Sequence, residues 1–221
     1  MINYSMKSKP LVIIGGGGHA AVLLEILLLQ GRDIIAVVAP EITAGKELFK
    51  DIKHFKNDNA ILDFAPDDIE LVNGIGAMPY SGLRTKMHTE FKSKFYEFAT
   101  VIASSANVSP YATISQGAQV LSNATICVGS KIGFGTIVNT SASIDHDCEI
   151  DAFCHIAPGV VMSGQVHVKE SVHIGTGAKI INGIQIGKNT IIGVGANILK
   201  TLPDSAIVYG ARPYIKLEGK L

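Results

Sequence analysis

The sequence carries no surplus of charge: 19 Lys and Arg offset 19 Asp and Glu, and no acidic or basic block stands out. Such a balance offers no footprint for nucleic acid and no charged tail. Cysteine is scarce. Cys127, Cys148 and Cys154 make no Cys-x-x-Cys pair, and an odd, sparse count argues against a disulfide framework and fits a reducing compartment. Long apolar runs are missing too. The run that follows the polar segment Met1 to Pro10 is broken by four glycines, unlike a signal peptide. The longest apolar helical pattern, Ala20 to Leu29, is interrupted by Glu25 and is too short to span a bilayer. These absences predict a soluble, cytoplasmic protein with no nucleic-acid or membrane partner. Apolar residues are present in quantity: they make up 47% of 221 residues, enough for one large core or two small ones.

The first hundred residues alternate two patterns. Leu11 to Ile14, Ile34 to Val38 and Ile69 to Asn73 read as short strands. Gly15 to Gly18 is a glycine loop, Ala20 to Gln30 is helical, and Gly31 sits where a C-cap glycine belongs. Leu83, Met87, Phe91 and Phe95 recur every four residues and predict an amphipathic helix over 81–98. The segment 41–65 is ambiguous. Strands alternating with helices predict an α/β unit over residues 1–100, a parallel sheet with helices packed on it.

A different rule governs residues 101–221. Every sixth residue from Ile102 to Ile198 is a large aliphatic or Met, seventeen in succession, and the residue two places earlier is nearly always small or β-branched. Neither an α-helix nor an alternating strand has a period of six. A β-sandwich would alternate with period two and turn every eight to twelve residues. Hexapeptides are the signature of a parallel β-helix. Each is one short strand plus a corner, three close a triangular coil, and each coil hydrogen-bonds to the next at about 4.8 Å. Seventeen repeats make between five and six coils, a prism roughly 27 Å tall. A single coil cannot bury its own core, so stacking supplies the stability.

An unbroken hexapeptide array resembles the acyltransferases built on left-handed β-helices, an exception to the right-handed crossover rule. The resemblance narrows when both halves are read together. Ile14-Gly15-Gly16-Gly17-Gly18-His19, Asn139-Thr140, Asp145-His146-Asp147-Cys148 and Phe153-Cys154-His155-Ile156 are similar to segments of the bacterial nucleotide-sugar acetyltransferases of the bacillosamine and sialic-acid group. The likeness implies a Rossmann-like nucleotide-sugar-binding unit over residues 1–100 and an acyltransferase prism over residues 101–221 with a short tail. It implies a homotrimer with sites between neighbouring prisms. It also implies acetyl-CoA as co-substrate, a UDP-linked 4-amino-4,6-dideoxy sugar as acceptor, and no metal.

The same resemblance assigns roles. His146 is the general base, because an amine attacking a thioester must lose a proton and imidazole titrates near the working pH. An adjacent carboxylate supports it; the relatives often carry Glu there, and here Asp147 or Asp145 takes the part. His155 lies near the thioester, Gly164 offers an N–H to the developing oxyanion, and Gly175, Thr176 and Val194 line the CoA groove. Gly17, Gly18, His19, Ala39, Pro40, Gly76 and Asn139 hold the nucleotide sugar. The glycine loop also fits G-x-G-x-x-G/A between strand and helix, a context that favours a phosphate at a helix N-terminus. A dinucleotide reading needs an acidic residue at the end of the second strand, and that strand ends Val38-Ala39-Pro40. The closing segment Tyr209-Gly210-Ala211-Arg212-Pro213 resembles the family's last turn, and Arg212 is placed to meet a CoA phosphate.

Cys148 and Cys154 occupy small-residue positions of the repeat, so packing explains them and direct transfer in a ternary complex is expected. Three other readings compete. One is an O-acetyltransferase acting on a sialic acid, or an N-acetyltransferase acting on a dTDP-amino sugar. A second is a zinc hydratase of the carbonic-anhydrase kind using His155, His167 and His173, though that family lacks the glycine-loop unit. The third is a nucleotide-sugar-binding protein without catalysis.

Overall fold

The computed structural model describes residues 9–211, so the expectations placed on Arg212 and Pro213 fall outside the described residues. The first part is a four-stranded parallel sheet of β1 (Leu11–Ile14), β2 (Ile34–Val38), β3 (Lys53–Phe55) and β4 (Glu70–Asn73), in the order β3-β2-β1-β4. The strands with a continuous apolar run are buried on both faces. Leu11, Ile13, Val37 and Val72 pack under helix α1 (Gly18–Leu29), while Val12, Ile14, Val38 and Leu71 pack under helix α3 (Leu83–Ser93). Helix α1 is apolar almost all round because it is covered twice: its core continues into Val101, Leu121 and Ile137 of the second part. The ambiguous segment resolves into the short helix α2 (Lys46–Phe49), strand β3 and a 3₁₀ stretch, Asp58–Asp63.

Helix α3 is shorter than the periodicity predicts. It stops at Ser93 because Phe95 turns into the left-handed region (φ 68°) and leaves its ring 83% exposed. Tyr96 and Phe98, not Phe95, complete the apolar face.

From Val101 the chain winds as a left-handed parallel β-helix of two-residue strands. Its three faces are sheets of seven, six and five strands. Face 1 runs from Val101–Ile102 to Ile207–Val208 and includes His155–Ile156; face 2 includes Ser143–Ile144; face 3 includes Glu149–Ile150. Each residue pairs with the one eighteen further on, as Ile137 does with His155 and His155 with His173. The hexad aliphatics fill the prism, and all those from Val120 to Ile198 are buried. Polar residues at the small position are satisfied through the next coil: Thr136 Oγ1 donates to Asp151 O (2.8 Å) and Ser130 Oγ to Asp145 O (2.7 Å).

Every sixth residue from Gly117 to Gly195 holds a left-handed corner. Half of these are not glycine, among them Asn123, Asp147, Gln165 and Asn189. The last coil is two residues shorter than the rest. Leu202 bridges Ile186, and Ile207 pairs with Ile191.

Candidate active site

The glycine loop leaves the end of β1 and opens α1. Gly15 needs its positive φ of 108°. Gly16 has no room for a side chain: a Cβ there would overlap Glu41 O and stand 3.1 Å from the Ala39 Cβ. The segment around Thr43 clamps it, since Thr43 N donates to Gly16 O (2.8 Å). Beyond that clamp the loop is open. Gly17 is the extended N-cap of α1 with no side-chain cap, and nothing lies within 4 Å of a Cβ on Gly18. Two unencumbered glycines at a helix start leave N–H groups aimed outward. Ala39 and Pro40 close β2 beside this loop, and Gly76 follows β4 with His19 as its neighbour. The sequence-predicted acceptor residues other than Asn139 therefore meet at the carboxyl ends of three adjacent strands, the usual ligand crevice of an open parallel sheet.

Three side chains fix this crevice to face 1 of the column. His19 Nε2 meets Gln119 Oε1 at 2.7 Å, so it carries the proton and donates, and Gln119 Nε2 donates to Asn73 O (2.9 Å). Burial pushes His19 down to about 4, with the Arg84 charge acting the same way and the Gln119 contact opposing. Arg84, buried and with no carboxylate partner among the described residues, donates to Asn73 O (2.9 Å), Ile75 O (2.8 Å) and Gly135 O (3.2–3.3 Å). Burial draws it down to about 9. Asn139 and His155 stand next along face 1. Asn139 Oδ1 accepts from Thr140 N, so its Nδ2 donates to His155 Nε2 (3.1 Å). His155 then holds its proton on Nδ1, directed at Nδ1 of His173 3.3 Å away. Burial first, then the neighbouring His173, lowers His155 to about 3, so it is a neutral imidazole at working pH. A cavity of about 870 Å³ opens here between the loop 76–82 and His155, His173 and Asn189.

His146 and Asp147 stand elsewhere. They occupy the corner between faces 2 and 3, whereas Asn139 and His155 border face 1. The two ends of the expected chemistry are thus on different sides of one column. Of the two nearby carboxylates, Asp147 reaches the ring, with Oδ2 3.0 Å from His146 Nδ1; Asp145 accepts the backbone N–H of His146 instead (2.7 Å). The Asp147 contact raises His146 above the ordinary histidine value, and in the neutral ring it leaves Nε2 as the acceptor nitrogen. Gly164 lies directly against this ring. Its N–H donates to no protein acceptor among the described residues. Gly175, Thr176 and Val194 lie on the corner between faces 1 and 2, with Thr176 and Val194 exposed. Gly175 is also held by stacking, since a Cβ would stand 2.7 Å from Ile192 O.

Sequence reasoning missed Arg84 and Gln119. Each sits where the pattern allows a solvated polar residue, Gln119 at the outward strand position of the repeat and Arg84 on an amphipathic helix, and only the packing of the two parts buries them. His155 and His173 share face 1, while His167 is on face 3 with Asp151 Oδ1 3.2 Å away. Among the described residues no three His, Cys, Asp or Glu side chains converge for a metal ion. Cys148 and Cys154 are core residues, and burial pushes the Cys154 thiol up to about 12. No helix among the described residues is long and apolar enough to cross a membrane.

Residues 10–87 match the family described as the PglD N-terminal domain. The whole fold is similar to the acetyltransferase domain of PglB from Neisseria gonorrhoeae, solved with acetyl coenzyme A (29% identity, 92% of this chain and 97% of that one, TM-score 0.83). It is similar also to perosamine N-acetyltransferase from Caulobacter crescentus, solved as a histidine-to-asparagine variant with CoA and GDP-perosamine (33% identity, 95% and 97%, TM-score 0.82). By sequence, the chain is 25% identical over 140 residues to a galactoside O-acetyltransferase of Lactococcus lactis, a match spanning 61% of this chain and 58% of that relative.

Proposed function

The chain belongs to the acetyl-CoA-dependent sugar N-acetyltransferases of the hexapeptide-repeat, left-handed β-helix superfamily, and from that premise we propose that it acetylates the 4-amino group of a nucleotide-linked 4-amino-4,6-dideoxy sugar. The N-terminal unit over residues 1–100 holds the nucleotide and the prism over residues 101–221 holds the thioester. The observation that carries this reading is the meeting of two sets of residues in one protomer. The open glycine loop and Gly76 are joined through His19 and Gln119 to the face that bears Asn139 and His155.

The base comes from a second copy. His146 lies on another corner of its own column, so it serves the face 1 of a neighbour in a homotrimer. That corner is dressed for contact: Val128, Ile181 and Leu199 are exposed along it, and Val161 is exposed on face 2. In the assembled site the sugar amine attacks the thioester carbonyl while His146 Nε2 takes its proton. The C–N bond forms, the C–S bond breaks, and the imidazolium returns the proton to the departing CoA thiolate. The Gly164 N–H supports the oxyanion between these steps. Asp147 holds the ring in the tautomer that presents Nε2 as acceptor. Gly175, Thr176 and Val194 line the groove for the pantetheine arm. Asn139 keeps neutral His155 turned toward the donor. The relative solved with GDP-perosamine is an N-acetyltransferase, which favours an amine acceptor and leaves the nucleotide base to be identified by assay.

The test is thiol release from acetyl-CoA against UDP-, dTDP- and GDP-linked amino sugars, with hydroxyl-only analogues as the O-acetylation arm. One amino sugar is expected to be preferred, and His146→Ala is expected to lower kcat by about 10²–10⁴ while the oligomer is unchanged. An unchanged rate in that variant removes the base assignment. Release on hydroxyl acceptors alone removes N-acetylation.

A further inference from the structure

Two glycines on the corner between faces 2 and 3 are not required by backbone geometry. Gly129 has φ +75°, but the same corner position one and two coils later is held by Asp147 (φ 55°) and Gln165 (φ 62°), so a side chain is tolerated there. Gly164 has no left-handed φ to satisfy, and its counterparts in the neighbouring coils are Val128, His146 and Asn182. Both glycines face the same pair of side chains. A Cβ on Gly129 would overlap Asp147 Oδ1. A Cβ on Gly164 would stand 2.5 Å from His146 Nε2 and 2.6 Å from its Cε1.

We propose that Gly129 and Gly164 are positioning residues for the His146–Asp147 pair: Gly129 makes the seat in which the carboxylate folds back, and Gly164 the floor on which the imidazole lies. The inference rests on His146 being the base. The need arises because the pair is half exposed on a turn, where no core packs around it. An exposed histidine keeps a fixed rotamer only if something shapes its surroundings. Here the stacked coils shape them by omission, one coil below for Asp147 and one coil above for His146. Alanine at 129 pushes the Asp147 carboxylate out of its seat and loosens the 3.0 Å contact with His146 Nδ1. Alanine at 164 keeps the backbone N–H in place but lifts the ring off it.

The experiment pairs each variant with a matched control. Gly183 occupies the same corner position as Gly129 two coils apart from Asp147's own, has φ +69°, and has nothing within 4 Å of a Cβ. Gly183→Ala therefore carries the same backbone strain without touching the pair. The His146 titration is read by NMR on the full-length protein, assigned by its loss in His146→Ala. Gly129→Ala is expected to move the His146 midpoint down toward the ordinary value near 6.5, to shift the acid limb of kcat/KM to lower pH, and to reduce kcat by about tenfold. Gly183→Ala is expected to match the wild type in all three. Gly164→Ala, which has no left-handed strain to destabilise folding, is expected to lower kcat with little change in the acceptor KM. In a His146→Ala background it is expected to add nothing. A wild-type His146 midpoint in Gly129→Ala, an equal shift in Gly183→Ala, or a full additional loss from Gly164→Ala in the His146→Ala background would overturn the proposal. If the wild type turned over no acceptor, the functional reading would fail, and the NMR midpoints would still decide this one.

Discussion

His88 shows how a single residue carries a penalty that the rest of the fold absorbs. It sits on α3 with 1% exposure, its ring 3.9 Å from that of Phe98 and against Phe134 and Phe153, and neither ring nitrogen has a partner among the described residues. An unpaired buried imidazole costs about 1–3 kcal/mol. Burial and the nearby Arg84 charge draw it down to about 3, against 6.5 for an unfolded chain. The unfolded state therefore binds a proton that the folded state refuses between those values. Stability is full above about pH 6.5 and falls as the pH drops toward 3, by at most about 1.4 kcal/mol per pH unit for each such histidine. His19 and His155 are drawn down in the same way and add to the same slope. His88→Leu is expected to raise the urea midpoint at pH 7 and to flatten its decline between pH 6.5 and 4.5. A lower midpoint at pH 7 with an unchanged slope would mean that the ring packing outweighs the orphaned nitrogens.

At the scale of elements, the decisive piece is the start of α3. Arg84 there joins the loop after β4 to Gly135 on the column through backbone carbonyls alone. Arg84→Met leaves Ile75 O and Gly135 O without their donor, while Asn73 O keeps Gln119, and a loss of ~3 kcal/mol is expected, with a weaker acceptor KM because Gly76 is no longer held against His19. Thermal melting together with acceptor titration checks this; an unaltered melting temperature would show that Arg84 is not the fastener. This fastener was invisible in the sequence, because a lone Arg on an amphipathic helix reads as solvated. The column was the opposite case. A period of six over Ile102 to Ile198 has one physical source, so strand positions, faces and corners followed from counting. Counting failed where two residues were lost before Leu202, and the helical period failed at Phe95, where a left-handed turn cannot be read from an apolar spacing of four. The site divided likewise. His146, Asp147, His155 and Asn139 stood in a recognisable string, whereas Gln119 and Gly129 meet their neighbours eighteen or more residues away, contacts that only the winding creates.

At the scale of the molecule, the fold separates what the proposed reaction unites. In one protomer the glycine-loop crevice adjoins face 1 and His146 stands on a different corner, so the proposed chemistry depends on how columns associate. The central claim is that each active site draws His146 from one subunit and His155 with Asn139 from the next. Mixed trimers test it most directly. His146→Ala and His155→Ala are each expected to be nearly inactive alone. Co-assembled in equal amounts, they are predicted to regain about a quarter of wild-type activity, the statistical share of interfaces that receive both intact residues in a cyclic trimer. A mixture that forms trimers and stays as inactive as its parents would place both histidines in one subunit's site and contradict the account.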